Sequence, residues 1–135
     1  MSANIDDQSP ETLAPIMTEL MEKGALDAFF TPIQMKKGRP AYQLSVIVNP
    51  NEVEKKADLI LRNTSTLGIR YQTMKRIIMK RSFRLVSTKF GPIHVKVAEF
   101  GDIKKQSPEF EDCQRAAKKN NVSLQEVYAA VYKTI

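Results

Sequence analysis

The sequence predicts an α+β protein: a ferredoxin-like βαββαβ unit over residues 1–81, then a smaller unit of a β-hairpin and two helices over residues 82–135. Three observations carry this expectation. Short stretches of period-2 and period-3.6 hydrophobicity follow one another in the order strand, helix, strand, strand, helix, strand within about 80 residues. Helix-start signals recur at Ser9-Pro10-Glu11, Asn51 with Glu54, Ser107-Pro108-Glu109 and Ser123 with Glu126. Glycine and proline punctuate the chain between them.

Residues 4–7 open the pattern as a short strand. Ser9 is placed to cap a helix, Pro10 suits its first position, and Glu11 suits the positive end of the dipole. Leu13, Ile16, Met17, Leu20 and Met21 then repeat at helical spacing until Gly24. Residues 28–35 read as a strand in which Pro32 argues for an edge. After a loop over residues 36–40, Tyr42, Leu44, Val46 and Val48 alternate as a half-buried strand. Asn49-Pro50-Asn51 breaks it, and Asn51 with Glu54 resembles a capping box for a helix whose inner face is Val53, Ala57, Ile60 and Leu61. A fourth strand is expected over residues 69–79.

In the second unit, residues 83–86 and 93–100 form a hairpin across Phe90-Gly91-Pro92. Ser107-Pro108-Glu109 starts a helix with Phe110, Cys113 and Ala117 on one face, ending at Asn120-Asn121. Ser123 and Glu126 make a capping box for a last helix that turns Leu124, Val127, Tyr128 and Val131 inward.

Composition narrows the classes of function. The chain has 135 residues with 42% hydrophobic and 27% charged side chains, ordinary for a globular protein. No apolar run approaches the roughly 20 residues of a membrane span. The acidic N-terminal stretch is no secretory signal, so a cytoplasmic protein is expected. One cysteine and one histidine exclude an internal disulfide and a zinc cage. The net charge of +6 is unevenly laid out: from residue 59 to residue 98 there is no acid and nine basic side chains accumulate. Such a block attracts anions, or is simply a solvated basic face.

Four groups of residues carry candidate chemistry. Asp6 and Asp7 pair two carboxylates just before a helix, where they either bind a hard cation beside a nucleotide or merely complement the dipole. Lys36, Lys37 and Arg39 surround Gly38 on a loop that either holds phosphates or is a solvated tip. Arg62, Thr64, Ser65, Thr66 and Arg70 offer cations and hydroxyl donors, although a helix ends there and its dipole opposes an anion. Glu109, Asp112 and Cys113 form a second tier, with Cys113 read as a small buried thiol rather than a nucleophile. His94, alone in a strand, reads as structural. No Walker loop, dinucleotide fingerprint, Ser/His/Asp set or paired-cysteine motif is present.

NIDDQSPE (4–11), GALDAFFTPIQMKKGRP (24–40), TSTLGIR (64–70) and SPEFEDC (107–113), in this order, resemble the C-terminal region of LarC-type proteins. These are the nickel-inserting cyclometallases of nickel-pincer nucleotide cofactor synthesis, and the resemblance covers nearly the whole chain. It implies an enzyme, a CTP-dependent nickel chelatase of the lyase class. The reaction inserts nickel into pyridinium-3,5-bisthiocarboxylic acid mononucleotide, forming a nickel–carbon bond flanked by two sulfur ligands, and yields the cofactor used by lactate racemase. CTP, with Mn²⁺ or Mg²⁺, is cleaved to CMP. Both units together then make up the C-terminal region of a longer architecture, whose N-terminal nickel-handling domain is the expected partner, fused or separate. Within the matching motifs, Lys36, Lys37, Arg39, Arg62 and Arg70 are expected on phosphates, Thr64, Ser65 and Thr66 as donors, and Asp6 and Asp7 on metal or water. So small a nucleotide-binding unit is expected to be a homo-oligomer, with no membrane or nucleic-acid partner. The alternatives are an RRM-like RNA-binding module, whose aromatic RNP1 strand residues 41–46 do not reproduce, and a nucleotide sensor without chemistry.

Overall fold

Alternation decides the first sheet. Ala3 and Ile5 of β1 (Ser2–Ile5) are buried, as are Leu44 and Val46 of β3 (Arg39–Ile47), while their sequence neighbours face outward. β2 (Asp27–Met35) completes an antiparallel sheet in the order β1-β3-β2. Directly paired residues share a face, so Ala3, Leu44 and Phe30 lie on the inner side, and Asn4, Gln43 and Thr31 on the other. Two helices cover the inner side: α1 (Pro10–Glu22) through Leu13, Ile16 and Leu20, and α2 (Val53–Asn63) through Leu59 and Ile60.

The computed structural model describes every residue, Met1–Ile135, and the chain divides into Met1–Lys75 and Arg76–Ile135. A boundary after residue 81 would cut through β4 (Lys80–Thr88), whose Lys80 and Arg81 already pair with Glu99 and Ala98. α1 begins as its sequence predicts, with Ser9 accepting from the Thr12 N–H, and it ends at Gly24, whose φ of +85° only glycine adopts freely.

Three elements of the first unit differ from expectation. The fourth strand over residues 69–79 is reduced to one bridge: Ser2 N–H donates to the Arg70 carbonyl and Arg70 N–H to that of Ser2. Arg70 meets the first residue of β1, so in an antiparallel ladder the residues after it run past the strand and find no partner. The sheet is therefore ferredoxin-like with its fourth strand trimmed to a single pair. The Asn51–Glu54 capping box does not form, because Pro50–Glu52 turns as a 3₁₀ helix and α2 starts after it with no side-chain cap. The loop after β2 is also shorter than expected. Lys36–Gly38 make one 3₁₀ turn and β3 resumes at Arg39.

The second unit is a sheet in the order β4-β5-β6, with β5 (Gly91–Phe100) in the centre and β6 (Ile103–Pro108) at an edge. α3 (Phe110–Asn120) and α4 (Leu124–Tyr132) pack Cys113, Ala116, Ala117, Val127 and Val131 against Val86, Ile93 and Val95. β6 was not expected, and it corrects the helix start read at Ser107-Pro108-Glu109. Ser107 and Pro108 end the strand opposite Lys96 and Val95, and α3 begins at Phe110. Pro108 is tolerated because an edge strand needs no donor on its outer side. The capping box at Ser123 and Glu126 forms in full, and Asn121 closes α3 in the left-handed conformation.

Candidate functional site

In the first unit, the loop after β1 and the loop after α2 meet at one end of the sheet. The Ser65 hydroxyl donates to Asp7 Oδ1, and the Ser65 N–H donates to Gln8 Oε1 at 2.9 Å. Arg39, the first residue of β3, sets Nη1 3.1 Å from Asp6 Oδ2. Arg70 Nη2 donates to Asn4 Oδ1 at 2.6 Å, and Gln43 Nε2 donates to the same oxygen at 3.1 Å. The β1–β3 register produces this last contact by setting Asn4 opposite Gln43. Residues 4–8 thus hold three separate polar contacts: Asp7 and Gln8 with Ser65, Asp6 with Arg39, and Asn4 with Gln43 and Arg70.

Lys36 and Lys37 lie on the turn that delivers Arg39, and neither has an ion-pair partner. Lys37 holds φ at 62° and Gly38 at 67°, two consecutive left-handed residues. The remaining candidates are engaged locally. Arg62 pairs with Asp58 one turn earlier on α2, which raises the guanidinium pKa and lowers that of the carboxylate. The Thr64 hydroxyl donates to the Ile60 carbonyl, and that of Thr66 to Gly68. These three are engaged in and just after α2 and make none of the contacts to residues 4–8.

The carboxylates suit a hard cation only in part. No group of three or more His, Cys, Asp or Glu side chains is arranged to hold a metal. Asp6 and Asp7 each use one named oxygen, toward Arg39 and Ser65, leaving acceptor capacity that matches a cation sharing its remaining positions with phosphate oxygens and water.

Glu109, Asp112 and Cys113 belong to the second unit. Cys113 is fully buried, and burial followed by the nearby Asp112 and Glu109 charges pushes its thiol up, away from thiolate chemistry. Asp112 Oδ2 accepts from the backbone N–H of His94 at 2.8 Å and lies 2.6 Å from His94 Nδ1. Asp112 Oδ1 accepts from Arg115 Nη2 at 2.8 Å. The His94 hydrogen bonds, backbone first, hold this carboxyl below its ordinary range. A lone histidine in a sequence gives no hint of such a partner 18 positions away.

The nickel insertion protein family model matches residues 1–128. The chain belongs to the nickel insertion protein family. It is 48% identical over all 135 of its residues to the pyridinium-3,5-bisthiocarboxylic acid mononucleotide nickel insertion protein of Acetivibrio thermocellus, of which it spans 33%. The protein of the same name from Lactiplantibacillus plantarum is 47% identical over 130 residues, 96% of this chain and 31% of that protein. The chain thus spans about a third of the length of these family members. Among solved structures, LarC2, the C-terminal domain of a cyclometallase involved in the synthesis of the NPN cofactor of lactate racemase, in its apo form, superposes with a TM-score of 0.95 at 46% identity. That superposition covers 98% of this chain and 92% of the other. A protein of Methanopyrus kandleri shares the fold, with a TM-score of 0.69 at 24% identity, over 95% of this chain and 80% of that one. No helix is long and apolar enough to cross a membrane.

Proposed function

We propose that this chain is the metal–CTP-binding portion of a nickel-insertion enzyme that loads nickel into pyridinium-3,5-bisthiocarboxylic acid mononucleotide. The observation that carries the reading is the alignment of all 135 residues at 48% identity with a protein of that name. The first unit supplies a chemical rationale. Arg39, Arg70, Lys36 and Lys37 neutralise a triphosphate, the guanidinium groups as two-pronged donors and the ammonium groups as point charges. Asp6 and Asp7 would hold a Mn²⁺ or Mg²⁺ ion, with Ser65 orienting Asp7. Such a cation would supply charge screening and Lewis-acid polarisation at the phosphates. Arg62, Thr64 and Thr66 join only by leaving their partners in and after α2. Nickel itself is substrate, and its preference for sulfur fits the two thiocarboxylates of the mononucleotide.

Thermal unfolding tests the reading. CTP with Mn²⁺ raises the midpoint clearly more than ATP with Mn²⁺ or CTP without metal, by mass action on the folded state. Equal shifts from every polyanion, or none from any, would overturn it.

A further inference from the structure

β6 ends at Pro108, opposite Val95, so the stretch of β5 that includes His94 has no β6 partner on that side. The start of α3 takes over: the Glu109 N–H donates to the His94 carbonyl at 2.8 Å, and Asp112 accepts the His94 N–H. Backbone satisfaction explains that much. It leaves unexplained why the imidazole folds back to place Nδ1 2.6 Å from the same carboxylate oxygen. An ionised Asp112 can only accept, so Nδ1 carries the hydrogen and the lone pair of the neutral ring lies on Nε2. The Asp112 side chain is 12% exposed and braced by Arg115, whereas that of His94 is 56% exposed. A rigidly oriented imidazole thus presents a basic nitrogen outward.

Its surroundings suit a flat ring. Leu85 pairs directly with His94, and Phe83 with Lys96, so both lie on the same sheet face, and they are 59% and 61% exposed. The charged groups around the imidazole are Asp112, Arg115 and Glu109 from α3 and its cap, and Lys96 on β5, which pairs with Glu109 at 3.3 Å. β4 contributes only the apolar Phe83 and Leu85 at the paired positions.

We propose that His94 is the proton acceptor of the insertion reaction, with Asp112 as its positioning residue, an assignment that rests on the function proposed above. Making a nickel–carbon bond from a ring C–H releases one proton. The C–H bond breaks, its electron pair forms the bond to nickel, and the proton passes to His94 Nε2. Nickel remains divalent, so no oxidant or reductant is required. Asp112 holds the resulting imidazolium through Nδ1–H, as carboxylates orient catalytic histidines elsewhere.

The test measures nickel insertion by the intact protein. His94→Gln lowers the rate by roughly 10²–10⁴-fold while leaving the CTP–Mn²⁺ thermal shift in place, and it removes the acidic limb of the pH–rate profile. Imidazole in the buffer restores part of the rate to His94→Ala. Asp112→Asn gives an intermediate loss. An unchanged rate and pH profile in His94→Gln, or a loss that imidazole does not rescue, overturns the assignment. Should the wild-type protein insert no nickel, the function proposed above falls, and a second measurement still judges the histidine. His94 is the chain's one histidine, so carbethoxylation by diethyl pyrocarbonate reads it alone. The pyridinium mononucleotide slows that modification if the ring docks there, and unslowed modification refutes the site.

Discussion

Arg39 is the cation on which the proposed nucleotide site depends most. It is half exposed and stands against a carboxylate, so its pair with Asp6 contributes at most about 1 kcal/mol to stability. Arg39→Ala should leave the unfolding midpoint nearly unchanged yet weaken CTP–Mn²⁺ binding by about tenfold or more, the scale of a lost charge-assisted contact. Isothermal titration checks this, and an unaltered affinity would remove Arg39 from the site. At this scale the sequence was partly legible. Charged and hydroxyl side chains announce their chemistry, so Asp6, Asp7, Arg39, Ser65 and Arg70 are readable as candidates from the sequence. Asn4, Gln8 and Gln43 are not, because amides carry no charge signal and become partners only through the β1–β3 register and the loop crossing. The His94–Asp112 pair is unreadable for a related reason, since the carboxylate arrives from another element.

Lys56 of α2 is only 3% exposed, and its ammonium donates to the Lys23 carbonyl at the end of α1 and to Glu52. One buried cation therefore closes the C-terminal end of one helix from the body of another, where the dipole favours positive charge. Lys56→Met keeps the aliphatic stem but strands that carbonyl. It should lower stability by about 1–3 kcal/mol, measured by urea unfolding, and no loss would show the contact to be dispensable. Helix ends with side-chain caps were readable, as at Ser9 and Ser123, because a cap is a local pattern. β6 was missed because Lys104, Lys105 and Gln106 show no alternation and its pairing with β5 is what makes it a strand. A signal was nevertheless present: Gly101 and Asp102 form the two-residue loop between Phe100 and Ile103, a pairing of residue types suited to tight hairpins. The fourth strand failed for the opposite reason, since its residues are suitable but β1 is too short to receive them.

Each of the two units has its own apolar core, one around Ile5, Leu20, Leu44 and Ile60, the other around Ile93, Val95, Val127 and Val131. Part of the acid response of the chain should come from carboxylates held by hydrogen bonds, and Asp112 is one of them. Asp112 titrates below its ordinary value near 3.8 in the folded state. It therefore contributes stability that is fully present above that value and lost as pH falls through the lower folded value. Urea unfolding of the second unit at pH 7 and pH 3 should show a loss of stability on acidification that is smaller in Asp112→Asn. An equal loss in both proteins would place the sensitivity elsewhere. The α+β fold class was legible because periodicity and punctuation are summed over many residues, so single errors at a cap or an edge did not alter it.

Cys113 is the chain's sole thiol and has no exposed surface. An alkylating reagent can reach it only when the core of the second unit opens, so the labelling rate is a clock for that opening. Mass spectrometry of the labelled chain would then time the breathing of one half of the molecule without any engineered probe.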